Sequence, residues 1–173
     1  MSSILNDELL NICKSDYKCK VANINGFDYP CDALEFFKKY SEGINDYIWF
    51  LHPYMENWED IAIEYRNTYD VLKTACENDK IAGGYELQDN EGFPFEFYPE
   101  KNGLVPWAQC DNGTVMYLKN DNSSVKVIVY GDSYEFYEYN LSMTEFLYKL
   151  INREIDCSRY LPSDLFEDDI ICQ

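Results

Sequence analysis

The chain has 173 residues, enough for one domain with its own core, and 14 Lys plus Arg against 32 Asp plus Glu leave a net charge of −18. That balance excludes ordinary nucleic-acid binding, which needs cations to neutralise phosphates, and polybasic docking on anionic lipid. Aromatic residues are 17% of the chain, whereas disordered acidic chains are poor in them, so the composition describes a folded acidic protein; a charged partner, if there is one, is expected to be basic.

Asn6 to Lys14 places Leu9, Leu10 and Cys13 at helical spacing. Val21 to Ile24 reads as a short strand, stopped by the turn signal Asn25-Gly26. Pro30 then opens a helix, with Asp32 and Glu35 placed to complement its dipole. Ala33, Phe36, Phe37 and Tyr40 form its buried stripe, and Gly43 stands near its C-cap. Tyr47 to Leu51 is a mostly apolar strand stopped by Pro53. Asn57 suits an N-cap, with Glu59 and Asp60 in the first turn. Ile61, Tyr65, Leu72 and Cys76 extend that helix through about five turns, toward a C-cap and hinge at Gly83-Gly84.

Pro94, Pro99 and Pro106 exclude a helix from Phe93 to Trp107, which reads as an extended aromatic arm. Its turns fall at Asn90-Glu91-Gly92 and Lys101-Asn102-Gly103. Ala108 to Cys110 is a short apolar piece before the turn Asp111-Asn112-Gly113. Thr114–Leu118, Val125–Tyr130 and Tyr134–Tyr139 are strands, divided by a loop at Asn120–Ser123 and a turn at Gly131-Asp132-Ser133. Together they predict an antiparallel meander. Ser142-Met143-Thr144-Glu145 is a capping box, and Met143, Phe146, Leu147, Leu150 and Ile151 stripe the helix behind it. Residues 156–173 read as a short acidic tail on one domain spanning 1–173. Helices first, strands in the middle and one closing helix predict an α+β fold: a single antiparallel sheet packed with N-terminal helices and one C-terminal helix.

Met1–Leu10 carries Asp7 and Glu8 and lacks the pattern of a secretory signal, and no stretch approaches a membrane span. Seven widely spaced cysteines, an odd number, suit free thiols in a reducing cytoplasm. The N-x-[ST] triplets at Asn112, Asn122 and Asn140 carry no meaning there. Enzyme motifs do not survive a physical check. His52 is the one histidine, and a metal site or nucleophile–base pair needs partners. Cys13 and Cys19 have no second pair to complete a zinc site. Gly83-Gly84 follows a helix, where a phosphate loop would follow a strand. Pairs of carboxylates at glycosidase spacing arise by chance among 32 acids. The chain is read as no enzyme, with no catalytic, metal or cofactor-binding residue.

The order of motifs is similar to that of the SUKH superfamily, the SMI/KNR-like family, in its bacterial immunity-protein branch. Glu35-Phe36-Phe37-Lys38-Lys39-Tyr40 before Gly43, and Trp49-Phe50-Leu51-His52-Pro53-Tyr54, resemble its first helix and its "FL-x-P-[FY]" turn. Phe97-Tyr98-Pro99-Glu100, Gly103-Leu104-Val105-Pro106-Trp107 and Asp111-Asn112-Gly113 resemble its "YPE…GLLPWG…DNG" block. Ser142 to Leu147 resembles its closing "SF-x-EFL" helix. The likeness spans residues 30–155. Gly43 stands alone where the family often has paired glycines, and Ala108 replaces the glycine after Trp.

The resemblance implies an intracellular immunity protein that neutralises a cognate toxin, commonly a nuclease, without catalysis. A regulatory adaptor of the same superfamily is the alternative, and a two-carboxylate hydrolase a remote third. An acidic inhibitor suits a nuclease, whose site is basic because its substrate is polyanionic. Trp107, Asp111, Glu135, Tyr137 and Glu138, on the meander and its leading turn, are the expected partner-binding residues, aromatic rings anchoring and carboxylates steering.

Overall fold

The computed structural model describes residues 2–14, 21–65, 81–82, 85–86, 95–120, 125–131, 135–167 and 170–173. Helix α1 (Ser2–Lys14) buries Leu5 and Leu9. Asn25 and Gly26 both take positive φ, 52° and 87°, the geometry of a two-residue hairpin turn. That turn joins β1 (Val21–Ile24) to β2 (Phe27–Pro30), a strand too short to show a pattern of its own before the helix that follows Pro30.

Helix α2 (Cys31–Phe37) ends sooner than its stripe suggested, with Lys38 as its C-cap. Gly43 is therefore no helix cap. It begins β3 (Gly43–Ile44), which pairs with β4 (Ile48–Phe50) across a turn where Asn45 and Asp46 have φ of 53° and 49°. A Cβ on Gly43 would lie 2.1 Å from the Ile48 carbonyl oxygen, so glycine is required by the close approach of two backbones. Residues 58–65 are helical (α3), and the Asn57 carbonyl is its first acceptor, taking a hydrogen bond from the Ile61 N–H at 3.1 Å. The expected continuation through Leu72 and Cys76 lies outside the described residues.

Strands β5 (Ile81–Ala82) and β6 (Tyr85–Glu86) form a small hairpin, so the residues either side of Gly83-Gly84 are strand. Gly83, Gly84 and the turn expected at Asn90–Gly92 are themselves outside the described residues. The arm arrives as Phe95–Leu104, with a cis Tyr98–Pro99 peptide and the turn at Lys101-Asn102 in place. It then runs straight into β7 (Val105–Cys110), so the apolar piece at Ala108–Cys110 is the end of a six-residue strand. Pro106 is tolerated inside it because β4 reaches only to Ala108, leaving that edge of Pro106 without a strand to serve. Strands β8 (Val115–Asn120), β9 (Val125–Tyr130) and β10 (Phe136–Tyr139) complete a four-strand meander. Helix α4 (Met143–Ile151) starts at the expected capping box: Ser142 Oγ accepts from the Glu145 N–H, and Glu145 accepts from the Ser142 N–H, both at 3.3 Å.

The main sheet is antiparallel, in the order β10-β9-β8-β7-β4-β3, so the fold is α+β. The β1–β2 and β5–β6 hairpins stand apart from it. Alternation along the strands sends side chains to two cores. One holds Val105, Met116, Leu118, Val127 and Val129 against α1, α2 and α4. The other is smaller, with Phe95, Phe97 and Leu104 of the arm laid over Tyr117, Ile128, Tyr130 and Phe136. The aromatic arm is thus a packing element.

The described residues of 156–173 do not form a tail. Tyr160, Leu161, Phe166 and Ile170 are buried in the larger core. The Tyr160 carbonyl accepts from Asn112 Nδ2 at 2.9 Å and from Thr114 Oγ1 at 2.8 Å. The last residues then pair along β3: Gln173 N–H donates to the Gly43 carbonyl, and Cys172 bridges antiparallel to Ile44. Acidic residues at turns masked an apolar set spaced too irregularly to announce a strand or helix.

Candidate partner-binding surface

The structure divides the five expected residues. Trp107 is wholly buried, with its ring edge-on to Phe146 of α4 at 6.2 Å. The physical reason is alternation: Trp107 stands two residues beyond Val105, on the face under the helices, and the strand continues through a bulge between Pro106 and Ala108. The bulge lets Ala108, next in sequence, join the same core. Trp107 is therefore a core residue and not the surface anchor expected from the sequence.

Asp111 is exposed on the β7–β8 turn. Glu135, Tyr137 and Glu138 sit three strands away on β10 or just before it. The register Val115↔Tyr130↔Phe136 puts Asp111 and Glu135 at one end of the sheet. Tyr137 donates its hydroxyl hydrogen bond to the Glu135 carboxylate and rests half-buried on Tyr160, 5.2 Å between ring centroids. Burial, and then the Glu135 carboxylate, raise the Tyr137 phenol above its ordinary value. Glu138 points to the other face, where Lys126 Nζ lies 2.9 Å away. The carboxylates of β10 are thus engaged within the chain.

A different tryptophan stands outside. In β4, Ile48 and Phe50 are buried, while Trp49 between them is 43% exposed. Its indole Nε1–H donates to Asp111 Oδ1 at 2.8 Å, which holds the ring in one orientation. Around it a small recess of about 10 Å³ is lined by Glu42, Asp46, Trp49 and Ile171, the last 48% exposed. The recess is built by the strand pairing of the C-terminal residues. Asn45 accepts from the Ile171 N–H at 2.8 Å and donates to the Leu165 carbonyl at 2.8 Å, clamping that segment to the β3–β4 turn. Within an apolar strand, Trp49 carries no compositional mark of exposure. The signal available was period-two alternation, which must turn it away from Ile48 and Phe50.

Charges around Trp49 differ from those on β10. Among the described residues, Glu42, Asp46 and Asp111 have no cation partner; the ion pairs fall at Glu35, Glu8, Glu138, Glu154 and Glu167. A second recess, near 200 Å³, is lined by Glu56, Glu59 and Asp60 beside Trp58. Those carboxylates face the first turn of α3 and complement its dipole.

His52 is 5% exposed, with Nε2 donating to the Ser41 carbonyl at 3.2 Å and its ring stacked on Phe37. Burial pulls its pKa down, so the ring stays neutral near pH 7. His52 is thus held at the edge of the core by one backbone hydrogen bond and one ring. Burial pushes the thiols of Cys110 and Cys172 up to about 12, which keeps both protonated and inert at neutral pH. Among the described residues no helix is long and apolar enough to cross a membrane.

Comparison with protein-family models, with curated proteins and with solved structures finds no match to this chain.

Proposed function

We propose that this chain is an intracellular immunity protein that binds and neutralises a cognate toxin, a nuclease first among the classes it would suit. The resemblance of the 97–113 block and of the closing helix to the SUKH superfamily supports the reading. The observation that carries it is Trp49, an exposed ring fixed by Asp111 among carboxylates that no cation of the described chain neutralises. Aromatic anchors and unspent negative charge suit the field of a basic active site, and opposite fields accelerate encounter. The inhibitor would act by covering the toxin, and no chemistry is asked of it.

The test is co-expression with the toxin domain encoded by the neighbouring reading frame. The chain should protect cells and form a complex whose association slows as salt rises. A neighbouring toxin that it neither binds nor silences would overturn the proposal and favour the adaptor reading.

A further inference from the structure

Given a basic protein partner, the geometry around Trp49 names the side chain that docks. We propose that this surface receives an arginine of the partner, its guanidinium stacked on the Trp49 ring and shared between the carboxylates of Glu42 and Asp46. This inference rests on the reading above and narrows it.

The three tryptophans isolate the platform. Trp58 is 2% exposed and Trp107 not at all, while Trp49 offers 43% of its surface. No ring among the described residues stacks on it. Its hydrogen bond to Asp111 removes the rotation that an exposed side chain would otherwise lose on binding. Tryptophan is the best of the aromatic faces for a cation, and arginine its commonest partner. Ile171, against the same recess, gives an apolar ledge for the methylenes of a long basic side chain.

Arginine fits better than lysine for a geometric reason. Its planar guanidinium can lie flat on an indole and direct N–H groups sideways to two carboxylates, whereas an ammonium is a strongly hydrated point charge. A second copy of this chain is a poor occupant, since it brings a net charge of −18 to an acidic surface. A nucleic acid is repelled for the same reason.

The experiment observes the indole N–H signals of the full-length, nitrogen-15-labelled protein. Gly-Arg-Arg-Gly, Gly-Lys-Lys-Gly and the uncharged citrulline analogue are titrated in turn. Trp49→Phe identifies the Trp49 signal by its loss, and unmoved Trp58 and Trp107 signals show that the variant is folded. The arginine peptide should shift the Trp49 signal alone, bind about two- to five-fold tighter than the lysine peptide, and weaken by a similar factor in Glu42→Gln/Asp46→Asn. A stationary Trp49 signal, or equal response to arginine and lysine, overturns the inference. If the neighbouring-frame toxin binds with a Kd unchanged by Trp49→Phe and Glu42→Gln/Asp46→Asn, the inference falls and the immunity reading stands. If that toxin does not bind while the arginine peptide still shifts Trp49, the immunity reading falls and the arginine site stands.

Discussion

The β10 edge and the β3–β4 corner of the same sheet are built from the same ingredients, aromatic rings and carboxylates, and arrive at opposite states. At β10 each group is matched from within: Glu138 by Lys126, Glu135 by the Tyr137 hydroxyl, and the Tyr137 and Tyr139 rings by Tyr160. At the corner, among the described residues, Trp49 is matched with Asp111 while Glu42 and Asp46 are left to solvent. Composition therefore does not identify an interaction surface. What distinguishes it is how far the fold has already satisfied the groups that a partner would otherwise satisfy.

Four perturbations test this contrast. The largest effect separates the two tryptophans: Trp107→Ala should cost about 3–5 kcal/mol through the cavity it leaves, and Trp49→Ala within about 0.5 kcal/mol. Thermal melts followed by circular dichroism would show it, and equal melting temperatures would remove the distinction between anchor and core. Alkali should act next, and at the corner. Cys110 pairs beside Ile48 and Cys172 beside Ile44, and burial holds both thiols up to about 12 from an ordinary 9.0. A raised acid keeps its proton in the folded state, so its stabilisation is complete below about pH 9 and drains away as pH climbs toward about 12. Urea midpoints across that window should fall, less steeply in Cys172→Ala; a flat profile would contradict the burial of the thiols.

Gly43→Ala comes third, at about 1–3 kcal/mol, because its methyl would overlap the Ile48 carbonyl. Hydrogen exchange should then quicken at Gln173 N–H, which donates to Gly43, before it quickens along β9. Equal acceleration in both places would mean that the corner and the meander are not separable. The smallest effect is kinetic. Lysine at positions 42 and 46 should slow capture by a basic partner more than lysine at 135 and 138, since the latter carboxylates are already engaged. Stopped-flow association at low salt would measure it, and the reverse order would return the binding surface to β10.

Several elements were legible because their signals are local. Asn25-Gly26 dictates a tight turn, Val125–Tyr130 is a run of β-branched residues, and Ser142 with Glu145 caps a helix whoever its neighbours are. Other residues hide their roles. Asp32 looked like a dipole-complementing acid, yet it is fully buried and accepts from Thr144 Oγ1 at 2.6 Å, a bond linking α2 to α4. Gly43 looked like a cap and is a contact between strands. The candidate surface was half-legible: Asp111 was named in the sequence reading, but its partner Trp49 lies 62 positions earlier, and nothing local joins them.

From the sequence alone came the α+β class, the net charge of −18, and the turns and caps that punctuate the chain. Those follow from short-range sterics, periodicity and arithmetic. The tertiary structure alone decided which of three tryptophans meets solvent, which carboxylates keep an unpaired charge among the described residues, and that residues 156–167 and 170–173 close the core and the β3 edge. Exposure and charge pairing depend on residues far apart in the chain arriving at one place. The bulge that turns Ala108 into the core beside Trp107 is the plainest case, since a shift of one position in a strand sends a side chain to the opposite face.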